Sequence, residues 1–516
     1  MLLLFVLFFP VFAAVLTLLM PQKRVVLAFP DAPPLLQPRI SSARSVALGC
    51  ALVELAAAVM LAVGFDSPAS IHYDTNVAWL ADAGVRFHIG VDGLSLLMVL
   101  LTAFLLPIIV LVAWGHELRN ERAFYALMLL MQTGLTGVFV SLDGFLFYFF
   151  WELALIPIYF LAGIWSDSDE RVAITFKFFL YTIVGSLFML AAFVVLYVAT
   201  PGAHSSDIQA LYAAGRALPP AAQSLVFWGI FLAFAVKMPV VPFHTWQPAT
   251  YTAAPTPATM LLSGIMLKMG LYGVLRWLLP MVPAGAQQWG AWAIGLSVLG
   301  VVYGAIIAIR QSDVKTLFAY SSLSHVGLIA AGLFVGVFTQ SPIGAVGGVV
   351  QMLSHGVCVV GLFYGADWMM RRTGTRTISE LGGLARTAPV FATLFLVLVM
   401  GSVALPLTSG FVGEFLLLQS IFAYHPVYGA VAGLTIIFGA VYLLRMYQLT
   451  MLGEANAATE GVGDVSGRDL AVLVPLIVLV FWIGLYPKPF LDLAQPAVQA
   501  LIAQAGQVGA PMVGVR

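Results

Sequence analysis

Phe234-Ala-Val-Lys237-Met-Pro239-Val-Val-Pro242-Phe-His244-Thr-Trp246 decides how this chain is read. Lys237 stands in the middle of an apolar stretch. An ionisable group near a bilayer centre costs on the order of 3 kcal/mol on insertion scales. It is tolerated where it faces a bundle interior or a wet cavity and has a partner. Pro239 and Pro242 remove backbone donors and break the helix beside it. Broken backbone at membrane depth is allowed only where it packs on protein or lines a cavity. A buried base next to a helix break is therefore the sequence sign of an ion or proton path.

The rest of the chain supplies the membrane. Of 516 residues, 61% are hydrophobic and only 9% charged, against about 25% charged in soluble domains. Mean hydropathy is +1.00. These values define an all-α polytopic membrane protein. The net charge of zero gives no reason to expect a nucleic-acid partner. Cys50 and Cys358 lie far apart, and no CxxC or His/Cys cluster appears, so no zinc, iron–sulfur or c-type haem site is expected. Glycine-rich phosphate motifs are also missing. The chain is expected to hold no metal, nucleotide or redox cofactor of its own. The apolar run Leu2–Met20 lacks a basic leader and a small-residue cleavage site, and reads as a first span, not a removed signal.

About fourteen spans of roughly 20 residues can be counted, centred near residues 11, 54, 103, 131, 153, 186, 232, 267, 299, 326, 356, 404, 438 and 478. Loops on one side collect Lys23, Arg24, Arg39, Arg44, Arg119, Arg122, Arg171, Arg310, Lys315, Arg371, Arg372, Arg376, Arg386 and Arg468. The other side has little beyond Arg86, Arg216, Lys488 and Arg516. The positive-inside rule makes the first group cytoplasmic and puts both termini outside, as an even span count requires. Spans 7 and 12 are the irregular ones. Span 7 is broken at Pro239 and Pro242, span 12 at Pro406 and Gly410. Five spans apart, they cross in opposite directions, the pattern of inverted transporter repeats. The expected organisation is residues 1–120 for spans 1–3, 121–282 for a first five-helix repeat, 283–455 for a second, inverted one, and 456–516 for span 14 and a tail.

Six ionisable side chains fall within spans: Glu152 in span 5, Lys237 in span 7, Lys268 in span 8, His325 and His355 in spans 10 and 11, and Glu414 after the break in span 12. Neighbouring spans tend to pack together, so chain order suggests a polar line in the membrane plane. A buried lysine beside a carboxylate can switch between a charged and a neutral pair, and histidine is a natural relay between two such sites. The bland alternatives are a static Glu152–Lys237 pair and satisfied core histidines. Static buried pairs stabilise weakly, and six such residues argue against a wholly static reading. Lys177, near the start of span 6, reads as a snorkelling residue that could tune Glu152; His244 is a second candidate modulator. Asp92 and Asp143 suit helix capping. Glu54, in span 2, has no functional account.

Five segments carry a resemblance: His88-Ile-Gly-Val-Asp92-Gly-Leu-Ser, Phe149-Phe-Trp-Glu152-Leu-Ala-Leu-Ile-Pro157, Phe234 to Trp246, Ser321-Ser-Leu-Ser-His325-Val-Gly and Phe411-Val-Gly-Glu414-Phe. Together they resemble chain M, or subunit 4, of proton-pumping NADH–quinone oxidoreductase, respiratory complex I, through nearly the whole length. The resemblance implies a fourteen-helix antiporter-like subunit of the membrane arm, next to L- and N-type chains. NADH, FMN, iron–sulfur clusters and quinone would belong to other subunits. It implies pairing of Glu152 with Lys237 and an axis through Lys268, His325 and His355 to Glu414. Sister subunits and Mrp-type cation/proton antiporter chains usually have lysine where Glu414 stands. The chain ends soon after span 14, without the long lateral helix of subunit L. One departure is Trp246-Gln-Pro248-Ala-Thr-Tyr251, where relatives often have an acidic residue; a proton-collecting acid is not expected there.

The expected function is proton translocation coupled to redox chemistry elsewhere, with release near Glu414 on the outer side. The rivals are an Mrp-type cation/proton antiporter subunit, a quinone-binding chain and a passive scaffold. The Ala/Gly/Val-rich sequence and the missing transit peptide suggest a bacterial cytoplasmic membrane.

Overall fold

A computed structural model describes residues 1–21, 26–29, 32–36 and 42–506. Lys23, Arg24, Arg39 and Arg516, four of the cations used to orient the chain, lie outside the described residues, as does the end of the expected tail.

In chain order the elements are α1 (Leu2–Leu19), β1 (Val26–Phe29), β2 (Ala32–Leu36), α2 (Ser42–Ala62), β3 (His72–Leu80), β4 (Val85–Val91), α3 (Gly93–Ala113), α4 (Glu121–Val140), α5 (Gly144–Ile164), α6 (Arg171–Ala199), α7 (Ile208–Ala217), α8 (Pro220–Lys237) and α9 (Gln247–Ala253). They continue with α10 (Thr256–Leu261), α11 (Leu267–Gly273), α12 (Leu279–Met281), α13 (Pro283–Ile309), α14 (Val314–Thr339), α15 (Ile343–Thr373), α16 (Leu384–Thr387), α17 (Pro389–Ser402), α18 (Ser409–Tyr424), α19 (Pro426–Met451), α20 (Gly467–Leu485) and α21 (Lys488–Ala505). Thirteen helices are long and apolar enough to span a membrane, counting Thr256–Met281 as one. The expected twelfth span is the half-helix pair α17 and α18, which brings the crossings among the described residues to the expected fourteen.

Burial sorts the spans. Thr256–Met281 and α15 are wholly buried over their apolar windows, whereas α2 and α19 are only one-third buried. The outward faces of such spans are apolar: Phe176, Leu180, Val184 and Leu187 of α6 are all exposed. Their exposure is stable only against lipid or another apolar surface.

Both breaks are built from the same hydrogen bonds. After α8, Met238 N donates to Phe234 O, Val240 N to Ala235 O and Phe243 N to Val240 O. After α17, Val403 N donates to Val399 O, Leu405 N to Met400 O and Thr408 N to Leu405 O. Bond for bond, Lys237 occupies the place of Ser402. Pro406 sits inside the second break. Gly410 does not: it lies in the first turn of α18, where a Cβ would come within 2.2 Å of Gly401 O. Its role is close approach of the two half-helices. Ala404 and Leu407 take left-handed backbone at φ 59° and 75°, a strained conformation for side chains with a Cβ.

A second correspondence ties helix starts to distant loops. Asp143 caps α5, accepting from Phe145 N and Leu146 N at 3.0 and 3.1 Å. Asp313 caps α14 through Thr316 N at 2.8 Å. Gly144 N bonds Ser206 O and Ile208 N bonds Leu142 O; Val314 N bonds Arg376 O and Ile378 N bonds Ser312 O in the same pattern. One clamp closes on the face that carries β3–β4, α7 and α21, the other on the opposite face.

Apolar periodicity did not reveal these face elements. The β3–β4 hairpin is antiparallel, with Asn76 opposite His88. Leu142 N donates to His88 O at 2.8 Å and fixes the hairpin to the α4–α5 turn. After the last span comes α21, 18 residues long, which buries Ala494, Ala497, Val498, Leu501 and Ile502. The expected tail is thus helical over much of its length.

Candidate functional site

The six mid-span candidates form two groups. In the first, Lys237 is the last residue of α8 and is 2% exposed. Its Nζ makes no hydrogen bond and lies 5.2 Å from the centre of the Trp151 ring. Such a cation–π contact contributes roughly 0.5–2 kcal/mol. Glu152, the next residue on α5, feels the charge of Lys237 but is not in ion-pair contact with it. Its nearest polar company is Tyr148, one turn back, and Ser186 of α6. The expected direct pair is therefore a pair at a distance, held apart with the Trp151 ring against the ammonium. Trp246 Nε1 donates to Val236 O at 2.9 Å and braces the break behind Lys237.

The second group is continuous. Lys268 on α11 has no exposure. Its Nζ donates to Ser263 O at 2.6 Å and meets His355 Nδ1 at 2.9 Å. Ser263 lies in a π-helical turn, Leu262–Met266. Wide turns of this kind cluster at functional positions. The rings of His355 on α15 and His325 on α14 are 6.0 Å apart. His325 Nδ1 lies 3.0 Å from Glu414 Oε1 on α18, close enough for an ion pair though not aligned as a hydrogen bond. Glu414 also accepts from Gln351 Nε2 at 3.1 Å. A pocket of about 10 Å³ lies beside this line, walled by Ser322, His325, Ser354 and His355. That is space for about one water. All four ionisable groups are at least 94% buried. Such burial is stable only if each is paired or neutral.

No hydrogen bond or ion pair among the described residues joins Lys237 to Lys268. The backbones of α8 and α11 approach closely near both residues, where a Cβ on Gly270 would come within 2.9 Å of Phe234 O.

The remaining candidates sit elsewhere. Lys177 is exposed, 5.9 Å from the Tyr181 ring, and its charge reaches His244. It is not among the groups around Glu152, so the expected tuning of Glu152 has no contact to act through. His244 is buried in the first break, with its ring 5.0 Å from that of Tyr303. Lys315, counted with the solvated loop cations, is 95% buried and donates to Ala254 O. Asp92 caps α3 through Ser95 N at 2.9 Å and also pairs with Arg276, a buried charge that sequence reading missed. Glu54 is 1% exposed; Gln132 of α4 faces it, and neither belongs to the two groups. Among the described residues, no cluster of three or more His, Cys, Asp or Glu could hold a metal ion.

Two broken helices and a buried line of lysine, histidine and glutamate define an ion-translocating membrane subunit of the antiporter-like class. Comparison with known proteins agrees. A family model described as "NADH:quinone oxidoreductase/Mrp antiporter, TM" matches residues 141–439. NADH-quinone oxidoreductase subunit M of Rickettsia conorii is 38% identical over 461 residues, covering 89% of this chain and 92% of that protein. Subunit M of Rhodobacter capsulatus is 37% identical over 475 residues, covering 89% and 90%. A chain of respiratory complex I from Thermus thermophilus superposes with a TM-score of 0.86 at 31% identity, over 99% of this chain and all of that one. A chain of the Mrp complex from Dietzia shares the fold, with a TM-score of 0.80 at 22% identity, over 98% and 99%. The chain belongs to the subunit M family of NADH–quinone oxidoreductases, within the wider complex I/Mrp antiporter group.

Proposed function

We propose that this chain translocates protons across a bacterial cytoplasmic membrane as a membrane-arm subunit of an NADH–quinone oxidoreductase. The observation that carries this reading is the contact line Lys268–His355–His325–Glu414, buried between helices and linked at 2.9 Å, ring to ring and at 3.0 Å. Each member can gain or lose a proton, and each neighbour can receive it. Glu152 and Lys237 form a second site whose charges interact without touching. A change in their separation or hydration shifts the proton preference of both. Redox chemistry, with NADH, FMN, iron–sulfur clusters and quinone, is assigned to other subunits, and L- and N-type chains are the expected neighbours. The positive-inside rule supports an orientation with both termini and the hairpin face on the outer side.

An Mrp-type antiporter subunit is the second reading. The shared fold favours it, but Glu414 and the higher identity to subunit M favour the first. Glu152→Gln tests the function: an assembled complex with electron flux but no proton translocation is expected. Normal translocation per electron would remove Glu152 from the path.

A further inference from the structure

A cavity of about 230 Å³ lies on the hairpin face, between β3–β4, α7, the end of Thr256–Met281 and α21. It is large enough for several waters, and charged side chains share its wall with apolar ones. Asp74 and His88 stand on one wall, Asp92 and Arg276 on another, with Tyr212 between. The chemistry proposed above uses none of them.

The outer wall carries Asp74 and His88, and His88 also reaches Asp207, which does not line the cavity. His88 Nε2 lies 2.9 Å from Asp74 Oδ1, and Nδ1 lies 2.5 Å from Asp207 Oδ2. Asp74 is 56% exposed, His88 12% and Asp207 19%, so the shared histidine is the least exposed of the three. With carboxylates at both ring nitrogens, both must carry a proton or an acid must supply one. Burial works against a charged His88, but its hydrogen bond to Asp207 and the charges of Asp207 and Asp74 outweigh it, holding its pKa above the usual histidine value. Asp207 is likewise driven up by burial but held low by His88, by Gln209 N and by the charge of Arg86.

The inner wall points to the buried line. Arg276 pairs with Asp92, and its Nε donates to Tyr272 Oη at 3.2 Å. Tyr272 Oη meets Ser95 Oγ at 3.1 Å. Tyr272 lies one turn from Lys268 on α11, on the same face. A polar column thus descends from the cavity to within one helical turn of Lys268. A purely structural Asp92–Arg276 pair explains neither the cavity beside it nor a histidine shared by two acids at its mouth.

We propose that this cavity is an aqueous vestibule through which protons leave the buried line to the outer side. Arg276 and Asp92 form its inner wall, with Tyr272 bonded to Arg276 on the side of Lys268, and Asp74 and His88, the latter held by Asp207, hand the proton to bulk water. This rests on the proton-translocation reading and moves release from the Glu414 end to the Lys268 end.

The test uses the intact complex in liposomes, with the outer-face compartment titrated between about pH 6 and 8. Proton translocation is measured at matched electron flux for wild type, His88→Gln and Asp74→Asn, with Glu152→Gln in parallel. Asp74 is exposed, so its variant carries the test if His88→Gln does not assemble. The vestibule predicts translocation about tenfold slower in either variant, with its response to outer pH flattened. Wild-type rates and an unchanged outer-pH response, with Glu152→Gln inactive, would overturn the vestibule and leave the buried line standing. Normal translocation by Glu152→Gln would overturn the underlying reading, and the vestibule with it.

Discussion

At the residue scale the molecule separates charges that a simpler design would join. Lys237 rests on the Trp151 ring, with Glu152 one residue further along α5. A direct pair would bind its proton in one arrangement; a pair held apart can respond to small changes in hydration. The six titratable residues could be picked out from the sequence because charge within an apolar span is costly and rare. Arg276 could not, since an arginine near a span end reads as a snorkelling residue. Tyr148, Ser186 and Gln351 are ordinary membrane residues until their neighbours are known. Outside the membrane, His88 and Asp207 make a pH prediction. The raised His88 pKa contributes stability that is complete below about pH 6.5 and lost as pH rises through the folded value. The lowered Asp207 pKa contributes stability present above about pH 4 and lost as pH falls through its folded value. Amide protection of residues 72–91, corrected for intrinsic exchange, should therefore fall as pH rises above about 6.5. In His88→Gln this dependence should vanish; if it persists, the tie between the acids does not hold the hairpin.

At the scale of elements, the two breaks share one construction. Prolines announced both in the sequence, yet their geometry comes from repeated hydrogen bonds and, in the second, from left-handed Ala404 and Leu407. The π-helical turn that sets Ser263 O against the Lys268 ammonium had no sequence signal, because apolar residues fill normal and widened turns alike. Gly410→Ala tests the second break. With backbone 2.2 Å from the new Cβ, one of the half-helices must move. The expected cost is about 1–3 kcal/mol, seen as a lower melting temperature of the purified complex. An unchanged melting temperature would show that the junction yields freely. The β3–β4 hairpin and α21 escaped sequence reading for a different reason. They lie along one face, outside the apolar windows that define spans.

At the scale of the whole molecule, the twice-used clamp at Asp143 and Asp313 and the twice-used break favour two related halves of opposite orientation. The span count and the two breaks were legible in the sequence because membrane burial leaves few permitted architectures, and the family was legible through its five matching segments. The division of the polar residues into two groups was not, because chain order does not say which side chains come within bonding distance. The central claim is that protons cross this chain by way of Lys237 and the buried line. Its most direct test is proton uptake by inverted membrane vesicles carrying Lys237→Ala, normalised to NADH–quinone electron flux and to assembled complex. Loss of uptake with assembly intact is predicted; unchanged uptake per electron would contradict the account and leave the buried charges a structural role.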